Sequence, residues 1–352
     1  MMDMREQHAP PPVSGPDPLV SANLYASRHL DEVLREIILP CWTRLQREAP
    51  GQDIHLWFFR YARRGEHLKV RLHGPPHLRE LLRTTLEQAA AHGFAAMGGD
   101  TSAEQVSNPH VPPMDEEDTL DGNHPDRSLL WTNYRRSPVI MGSELYAGDD
   151  QHAELFTRVL GESARLVLSE LTPELGSPAF AQKRQSLFIK MLISALAETD
   201  LELEQWAGYF TYHRDWIIRF LAAKSPPPKS RPETFIEELE QRVPKSGGTL
   251  ASLGEIMAAQ KSAAREGRVE PGPLGAWRQS VARYFRHVSG YRGRPEYDVD
   301  PYTTDYAALA LFKALQGCAN QCGFRLSNEA HIHHLLLRAA QRLVEPDGKR
   351  PA

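Results

Sequence analysis

Hydrophobic and polar positions alternate with a period of two in residues 67–73, which follow a run of bulky residues, 55–61, and a short polar connector, residues 62–65. The flanking runs, HLWFFRY and HLKVRLH, are bulky and largely apolar, so they predict a β-hairpin in which Gly65 takes a positive φ. The alternation also gives the two faces of the second strand different chemistry. Its predicted faces are Leu68, Val70 and Leu72 on one side and Lys69, Arg71 and His73 on the other.

The segments on either side of this hairpin carry the period of α-helices. Residues 21–51 predict a short extended start and then a helix that Pro40 kinks. Residues 75–94 predict an amphipathic helix, and Gly93 marks its expected end. The chain therefore places helices next to strands in its first part.

Further along, residues 98–126 are polar, rich in Pro, Asp and Asn, and without a period, which predicts a long loop. Residues 128–143 predict another pair of strands, and the helical period dominates from Gln151 onward. Together these patterns predict an α+β protein, with a mixed sheet-and-helix half followed by a mainly helical half. The expected organisation is a disordered tail at 1–18, the mixed half at 19–150, the helical half at 151–345 and a second tail at 346–352.

Composition excludes several classes of function. The formal net charge of the 352 residues is −4, which disfavours a nucleic-acid binder, tRNA included. No apolar run reaches the length of a membrane span, and the N-terminal segment lacks the apolar middle of a signal peptide. The three cysteines suit free thiols in a reducing compartment, so we expect a cytoplasmic protein. They are Cys41, Cys318 and Cys322.

The chemistry-bearing side chains leave few candidates for a site. The basic face of Lys69, Arg71 and His73 fits either the solvated outer face of an edge strand or a wall that meets carboxylates, phosphates or peptide carbonyls. The pair Cys318 and Cys322 has no further metal ligand nearby, so it is a poor zinc site. A group of histidines near the C-terminal end also lacks a third ligand, and we expect these histidines to be polar surface residues. That group comprises His331, His333 and His334.

No phosphate-binding glycine loop, zinc-protease motif or nucleophile elbow is present, which leaves cofactor-free chemistry or binding. The segment SGYRGRPEYDVDPYTTDY, residues 289–306, concentrates hydroxyl, carboxylate and guanidinium groups between helical stretches. Proton transfer needs such groups close to a substrate, although an ordinary hydrogen-bonded loop has the same composition.

The segments SANLY, LREIILPCWTRL and WFFRYARRGEHLKVRLHG resemble the elimination-type C-terminal domain of lantibiotic dehydratases and the stand-alone thiopeptide-type bacteriocin biosynthesis proteins. That family typically shows an aromatic-rich strand, an Arg-Tyr turn and a His-Leu-basic-x-Arg strand ending in His-Gly. The resemblance covers residues 19–345 and implies the fold of the elimination domain.

Members that eliminate glutamate usually carry a Glu-x-x-Arg-Tyr-Gly-Gly strand and a His-Met-His-x-Asn-Arg helix. Here the first motif position reads LLWTNYRRSPVIMGSE, without that Glu or the paired glycines, and the second, residues 316–321, keeps only Asn320. The resemblance therefore implies the divergent branch similar to pyridine synthases of thiopeptide antibiotic biosynthesis. These act without a cofactor on a precursor peptide that carries azoles and two dehydroalanines.

The reaction expected from this resemblance is a formal aza four-plus-two cycloaddition that closes a macrocycle, followed by loss of water and elimination of the leader peptide. Glutamate elimination through other residues and a non-catalytic scaffold for the precursor remain alternatives. Other enzymes of the pathway are possible partners, and the oligomeric state is left open. We expect catalytic roles for Tyr297, Tyr302, Ser289 and Asp200 and substrate-binding roles for Arg60, Lys69, Arg71, His73 and Arg135.

Overall fold

The computed structural model describes residues 19–27, 29–62, 64–97, 124–132, 150–225, 231–244, 247–268, 270–291 and 306–344. Contacts divide these residues into two compact units, one up to Phe180 and the other from Ala181 onward. The sequence-based division at residue 150 marks the point where helical periodicity takes over. The contact-based division lies later because the helix that begins at Asp150 packs against a strand of the first unit.

The first unit contains four strands and four α-helices among the described residues. In chain order they are β1 (Leu19–Tyr25), α1 (Leu30–Val33), a π-helical segment (Leu34–Ile38), α2 (Leu39–Glu48), β2 (His55–Tyr61), β3 (His67–His73), α3 (Arg79–Ala96), β4 (Ser128–Trp131) and α4 (Asp150–Glu170). The second unit is helical where it is described. Its helices are α5 (Phe180–Ala197), α6 (Leu203–Ala223), α7 (Pro232–Arg242), α8 (Gly247–Arg265), α9 (Gly272–Ser289), α10 (Tyr306–Gln321) and α11 (Leu326–Val344).

The four strands form one antiparallel sheet in the order β2-β3-β1-β4. A small sheet combined with many helices confirms the predicted α+β class. The predicted hairpin is confirmed as β2 and β3, and Gly65 in its turn has a φ of 110°. Of the second predicted strand pair, β4 is observed, and residues 133–143 lie outside the described part of the chain.

The register of the strands gives the sheet two different faces. One, here called the apolar face, carries Val20, Ala22, Leu24, Leu56, Phe58, Leu68, Val70 and Leu72. Helix α3 contacts β1 and β4 on this face, where the Arg83 guanidinium lies 5.0 Å from the ring centre of Trp131, the cross-strand partner of Ala22. Because these side chains are buried, the apolar face contributes hydrophobic stabilisation to the sheet.

The first helix changes its winding where the sequence predicted a kink at Pro40. The π-helical segment Leu34–Ile38 separates α1 from α2, and it ends just before the proline. Proline has no N–H and clashes with the carbonyl four residues earlier, so Glu36 cannot keep a regular α-helical hydrogen bond. A widened turn relieves this conflict without ending the helix.

The sequence predicts that helix α3 ends at Gly93, and this is wrong. The helix continues to Ala96. The glycine is instead the point of closest approach to the π-helical segment. A Cβ atom at this position would lie 2.3 Å from Cγ1 of Ile37 and 2.7 Å from the carbonyl oxygen of Glu36. Gly93 is therefore required by helix packing and does not act as a helix terminator.

The helical unit has an aromatic core that includes Phe188, Trp206, Phe210, Trp277 and Phe312. Its helix boundaries follow local signals. Glu202 and Gln205 form a capping box at the start of α6, and Pro232 opens α7. No helix within the described ranges is long and apolar enough to cross a membrane.

Candidate functional site

The face of the sheet opposite α3 is lined with polar side chains and is here called the polar face. Its polar members are Ser21, Asn23 and Tyr25 of β1 and His67, Lys69, Arg71 and His73 of β3. The aromatic side chains Trp57, Phe59 and Tyr61 of β2 lie on the same face. Lys69 is 0% exposed and Arg71 is 1% exposed, and both lie on an interior strand. The expectation of a solvated outer face on an edge strand is therefore wrong. The alternative, a wall that binds substrate, stays a prediction.

The two cations are held by aromatic and carbonyl groups of the sheet. The Lys69 ammonium lies 4.6 Å from the ring centre of Tyr61. One guanidinium nitrogen of Arg71, Nη1, donates to the carbonyl of Val70 at 3.0 Å and approaches that of Ala22 at 3.4 Å. Burying a cation is costly unless such groups replace its hydration. The sheet therefore buries two basic side chains at positions where an apolar side chain would cost less free energy.

One end of the polar face is a stack of rings. Tyr25 lies 4.4 Å from His67 and 4.3 Å from His124, measured between ring centres, and Tyr61 meets His67 edge to face at 5.4 Å. The His67 Nδ1 atom lies 2.8 Å from the carbonyl oxygen of Gly65 in the hairpin turn. Partial burial lowers the pKa of His124, which favours its neutral form. This end offers flat, polarisable surfaces next to the cations.

The other end of the polar face carries His73 and its cross-strand partner His55, with ring centres 6.4 Å apart. Helix α4 covers this end, since Gly161 lies so near that an added Cβ would be 3.4 Å from the His55 side chain. Burial lowers the pKa of His55, and the Asp53 carboxylate opposes the shift. We therefore expect His55 to be neutral at pH 7.

Asn23 lies between these two ends, directly opposite Lys69 on the neighbouring strand. Its side chain is 0% exposed, and neither its Nδ2 nor its Oδ1 atom has a hydrogen-bond partner in the described structure. The next pair on the same face is satisfied, because the hydroxyl groups of Ser21 and Thr132 are hydrogen-bonded to each other. The Asn23 amide is therefore buried on the polar face with its hydrogen-bonding groups unused.

Arg60 does not join Lys69 and Arg71, contrary to the sequence-based grouping. It is the cross-strand partner of Leu68, so its side chain lies on the apolar side of the sheet. There its guanidinium pairs with the carboxylate of Asp31 in α1. Leu68, opposite Arg60, and Lys69 are consecutive residues of β3, so their side chains lie on opposite faces of the sheet. The ion pair with Asp31 of α1 gives Arg60 a structural role.

Two of the four expected catalytic residues are described, and both lie in the helical unit. Ser289 is the last residue of α9, and its hydroxyl donates to the carbonyl of Phe285 at 2.8 Å. Asp200 is exposed between α5 and α6, near Lys261, whose ammonium donates to the carbonyl of Thr199 at 2.7 Å. Burial lowers the pKa of Lys261, and the charge of Asp200 acts in the opposite direction.

Three further expected site residues belong to segments that the structure does not describe. Tyr297, Tyr302 and Arg135 lie outside the described residues. Ser289 stands immediately before that tyrosine-bearing segment in the chain, which keeps it a candidate for a supporting role.

A family model described as the C-terminal part of lantibiotic biosynthesis dehydratases matches residues 20–340. The chain belongs to this family. The match covers both compact units, so neither the sheet nor the helical half is an addition to the family fold. A sequence comparison with curated proteins found no match.

Two solved structures of similar size share the fold of this dehydratase-family protein. The pyridine synthase TbtD from thiomuracin biosynthesis superposes with a TM-score of 0.61 at 13% identity, covering 92% of this chain and 98% of that one. TsrL superposes with a TM-score of 0.55 at 12% identity, covering 95% of this chain and 99% of the other. At these identities the comparison concerns the fold.

Residues 316–321, which the resemblance aligns with the family's histidine motif, lie in α10. Here Cys318 and Ala319 are buried in the helical core. In that alignment Gln316 and Cys318 stand at the two histidine positions. An amide has no group that titrates near neutral pH, whereas an imidazole does.

The histidines of α11 are not surface residues, and that sequence expectation is wrong. His333 and His334 are both fully buried, and His331 is half-buried. His334 contacts Arg214 of α6, with 3.1 Å between its Nδ1 atom and the guanidinium nitrogen. His333 belongs to a different group, here called the buried cluster, which consists of Tyr209, His213, Glu329 and His333.

The buried cluster lies where α6, α10 and α11 pack together. The ring of His213 stacks on Phe312 with 3.9 Å between centres and meets Tyr209 at 4.0 Å. The Nε2 atom of His333 lies 3.9 Å from Oε1 of Glu329, which is too long for a hydrogen bond. Within the described structure both histidine rings, the Tyr209 hydroxyl and Oε1 of Glu329 lack hydrogen-bond partners.

Burial keeps this cluster uncharged. It raises the pKa of Glu329 to about 8, and the Lys313 ammonium opposes the shift. It lowers the pKa of His333 to about 3 and that of His213 well below the ordinary value. We therefore expect Glu329 to be mostly protonated at pH 7 and both imidazoles to be neutral.

The spacing of apolar residues along α6 contains a sequence signal for the buried position of His213. His213 falls on the same stripe of α6 as Trp206, Phe210 and Ile217, at spacings of three and four. Position on the stripe, more than residue type, would have placed it in the core. Among the described residues, no group of three or more His, Cys, Asp or Glu side chains is arranged to hold a metal ion.

Proposed function

We propose that this protein is a pyridine synthase of thiopeptide antibiotic biosynthesis. It would join two dehydroalanines of an azole-containing precursor peptide by a formal aza four-plus-two cycloaddition and so close a macrocycle. Loss of water and release of the leader peptide as a carboxamide would then give the central pyridine. The coarser part of the proposal, a role in thiopeptide biosynthesis as a peptide-modifying enzyme, is supported by family membership and by the fold shared with TbtD.

The observation that carries the proposal is the chemistry of α10. Family members that eliminate glutamate use histidines at this place, and here the matching segment presents Gln316 and the buried Cys318. The acid–base groups that elimination from a glutamyl ester needs are therefore missing at their usual position. This favours a branch of the family whose chemistry depends more on positioning of the substrate.

Positioning is also the main requirement of the proposed reaction. Bringing two distant alkenes together costs loop-closure entropy, and holding reactants in a near-attack geometry can lower a barrier by about 7–11 kcal/mol. One amide must reach its iminol form, and the later eliminations need a proton donor and acceptor. We assign hydrogen bonding to the reacting amide to Tyr297 and Tyr302, with Ser289 and Asp200 as supporting polar groups. Arg135 is assigned to substrate binding.

Replacing both Tyr297 and Tyr302 by Phe is expected to lower the rate of pyridine formation by about 100-fold, because both hydroxyl donors to the reacting amide are lost. The measurement is turnover followed by mass spectrometry. Tyr291→Phe is the control, since that hydroxyl contacts His287 of its own chain at 2.8 Å. A double variant that keeps its rate within a factor of two of the parent would remove the tyrosines from the mechanism.

We assign to Lys69, Arg71 and His73 the binding of peptide carbonyls or acidic side chains. Lys69→Met keeps most of the length of the side chain but removes its charge, so peptide affinity is expected to fall about tenfold. Arg60→Met is the matched control, because it removes one positive charge from the opposite face of the same hairpin.

Fluorescence anisotropy with a labelled precursor peptide measures both affinities, and thermal melting checks that both variants fold. Equal losses in the two variants would show a non-specific effect of net charge and would count against the assigned wall.

The proposed activity is tested with purified protein and a precursor peptide that already bears azoles and two dehydroalanines. Release of an intact leader carboxamide, with a core lighter by the leader and one water, would establish pyridine formation. An unchanged peptide that still binds would favour a scaffold. Conversion of a glutamylated peptide to dehydroalanine would instead show that elimination persists with other residues.

A further inference from the structure

The Asn23 side chain has hydrogen-bonding capacity that the described structure does not use. Its amide has two N–H donors on Nδ2 and an acceptor on Oδ1, and all of these are buried without partners. The main chain of β1 does not need them, because the strand pairs with β3 on one side and β4 on the other. An unpaired buried amide destabilises the fold compared with an apolar side chain of the same shape.

The surroundings of Asn23 indicate the kind of group that would pair with it. Lys69 lies directly opposite on β3, and Arg71 follows two residues further along the same face. These cations suit oxygen acceptors, whereas the Asn23 amide matches a partner that both donates and accepts. In a linear peptide the group with this property at nearly every residue is the main-chain amide.

We propose that Asn23 binds a main-chain amide of the precursor peptide, accepting a hydrogen bond from its N–H and donating one to its C=O. Lys69 and Arg71 supply the positive charge beside this contact. The inference rests on the proposed function for the identity of the peptide. Since Asn23 is 0% exposed, binding requires the polar face to open to the peptide.

Asn23→Leu separates a binding role from a structural one. Leucine has nearly the same shape and removes the unpaired amide, so the melting temperature is expected to stay or rise. Affinity for the labelled precursor peptide is expected to fall about tenfold. A purely structural role predicts the reverse pattern, with lower thermal stability and unchanged affinity.

Thr85→Val is the matched control. Its hydroxyl is also buried and lacks a partner within the described structure, but it belongs to α3 on the other side of the sheet. This change should stabilise the protein in the same way and leave peptide affinity within a factor of two. A similar loss of affinity in both variants would overturn the proposal.

Peptides with one main-chain amide replaced by an ester test the proposed partner directly. An ester lacks the N–H, so the parent protein should lose about tenfold in affinity at one position of the peptide. In Asn23→Leu the same ester should cost less than a factor of two, because the two changes remove one contact. Additive losses at every position would overturn the assignment, and if Asn23→Leu does not fold, Asn23→Ala is measured with the same peptides.

The outcomes also separate this inference from the proposed function. A parent protein that forms no pyridine but shows the Asn23-dependent ester effect would retain the amide site and reject the synthase. A parent protein that forms pyridine while Asn23→Leu binds and turns over peptide as the parent does would retain the synthase and reject the amide site.

Discussion

Glu329→Gln is expected to raise the free energy of unfolding by about 2–4 kcal/mol at pH 8 and to change it by less than about 1 kcal/mol at pH 5. Gln has the shape of a protonated Glu and carries no titrating group. The carboxyl is buried in the cluster with Tyr209, His213 and His333, and Lys313 of α10 is the charged group that acts on it.

The direction of the effect follows from proton binding. The pKa of Glu329 is raised from its ordinary 4.5 to about 8, so between these values the folded protein holds a proton that the unfolded chain has released. Its contribution to stability is therefore fully present below pH 4.5 and is lost as the pH rises through 8. His333, with its pKa lowered to about 3, acts oppositely, and stability is lost as the pH falls from 6.5 towards 3.

Urea titrations of the parent and Gln variant at several pH values measure this difference. Glu255→Gln is the control, since Glu255 is an exposed residue of α8, and its replacement should leave the pH dependence as it is in the parent. If Glu329→Gln kept the parent's decline in stability between pH 5 and 8, the carboxyl would not be the buried proton-binding group that its surroundings indicate.

Gly93→Ala is expected to lower the free energy of unfolding by about 1–3 kcal/mol, although alanine is the better helix former. The new Cβ would lie 2.7 Å from the carbonyl oxygen of Glu36, and a backbone atom in a packed helix cannot move aside cheaply. Either α3 shifts away from the π-helical segment, or that segment loses its winding.

Gly208→Ala in α6 is the matched control for this prediction. Gly208 also lies inside a helix, is exposed, and would bring its Cβ within 4 Å of no described atom. The free energy of unfolding of Gly208→Ala should therefore rise by up to about 1 kcal/mol, from helix propensity alone. Chemical denaturation measures the free energy of unfolding of both variants. A Gly93→Ala variant as stable as Gly208→Ala would mean that α3 and the π-helical segment are less tightly packed than the structure shows.

Local patterns were sufficient where the physical cause was itself local. The alternating hairpin, the positive φ of Gly65 and the α+β class all follow from periodicity and turn chemistry within a few residues. The resemblance carried by residues 21–74 also indicated the family correctly, because that strand pattern is specific.

Local patterns failed where partners distant in sequence decided the outcome. Lys69 is interior because β1 pairs along β3, and nothing within the hairpin reveals that pairing. The frequency of glycine at helix ends predicts an end at Gly93, whereas the role of this residue depends on Glu36, more than fifty residues earlier. Residue type predicts a surface position for His333, although its stripe on α11 faces the core. Asn23 gave no sequence signal at all, because an unpaired amide can be recognised only once its neighbours are known.

The central place of β1 has a consequence for how the first unit forms. Tyr25 pairs with His67 on one side and with Ser128 on the other, so the first of the four described strands acquires its second neighbour more than one hundred residues later. Contacts of such long sequence separation slow folding, because loops must close before any pairing energy is gained. On the ribosome, β1 would remain a half-paired strand until β4 has emerged, and the sheet cannot be completed before that point.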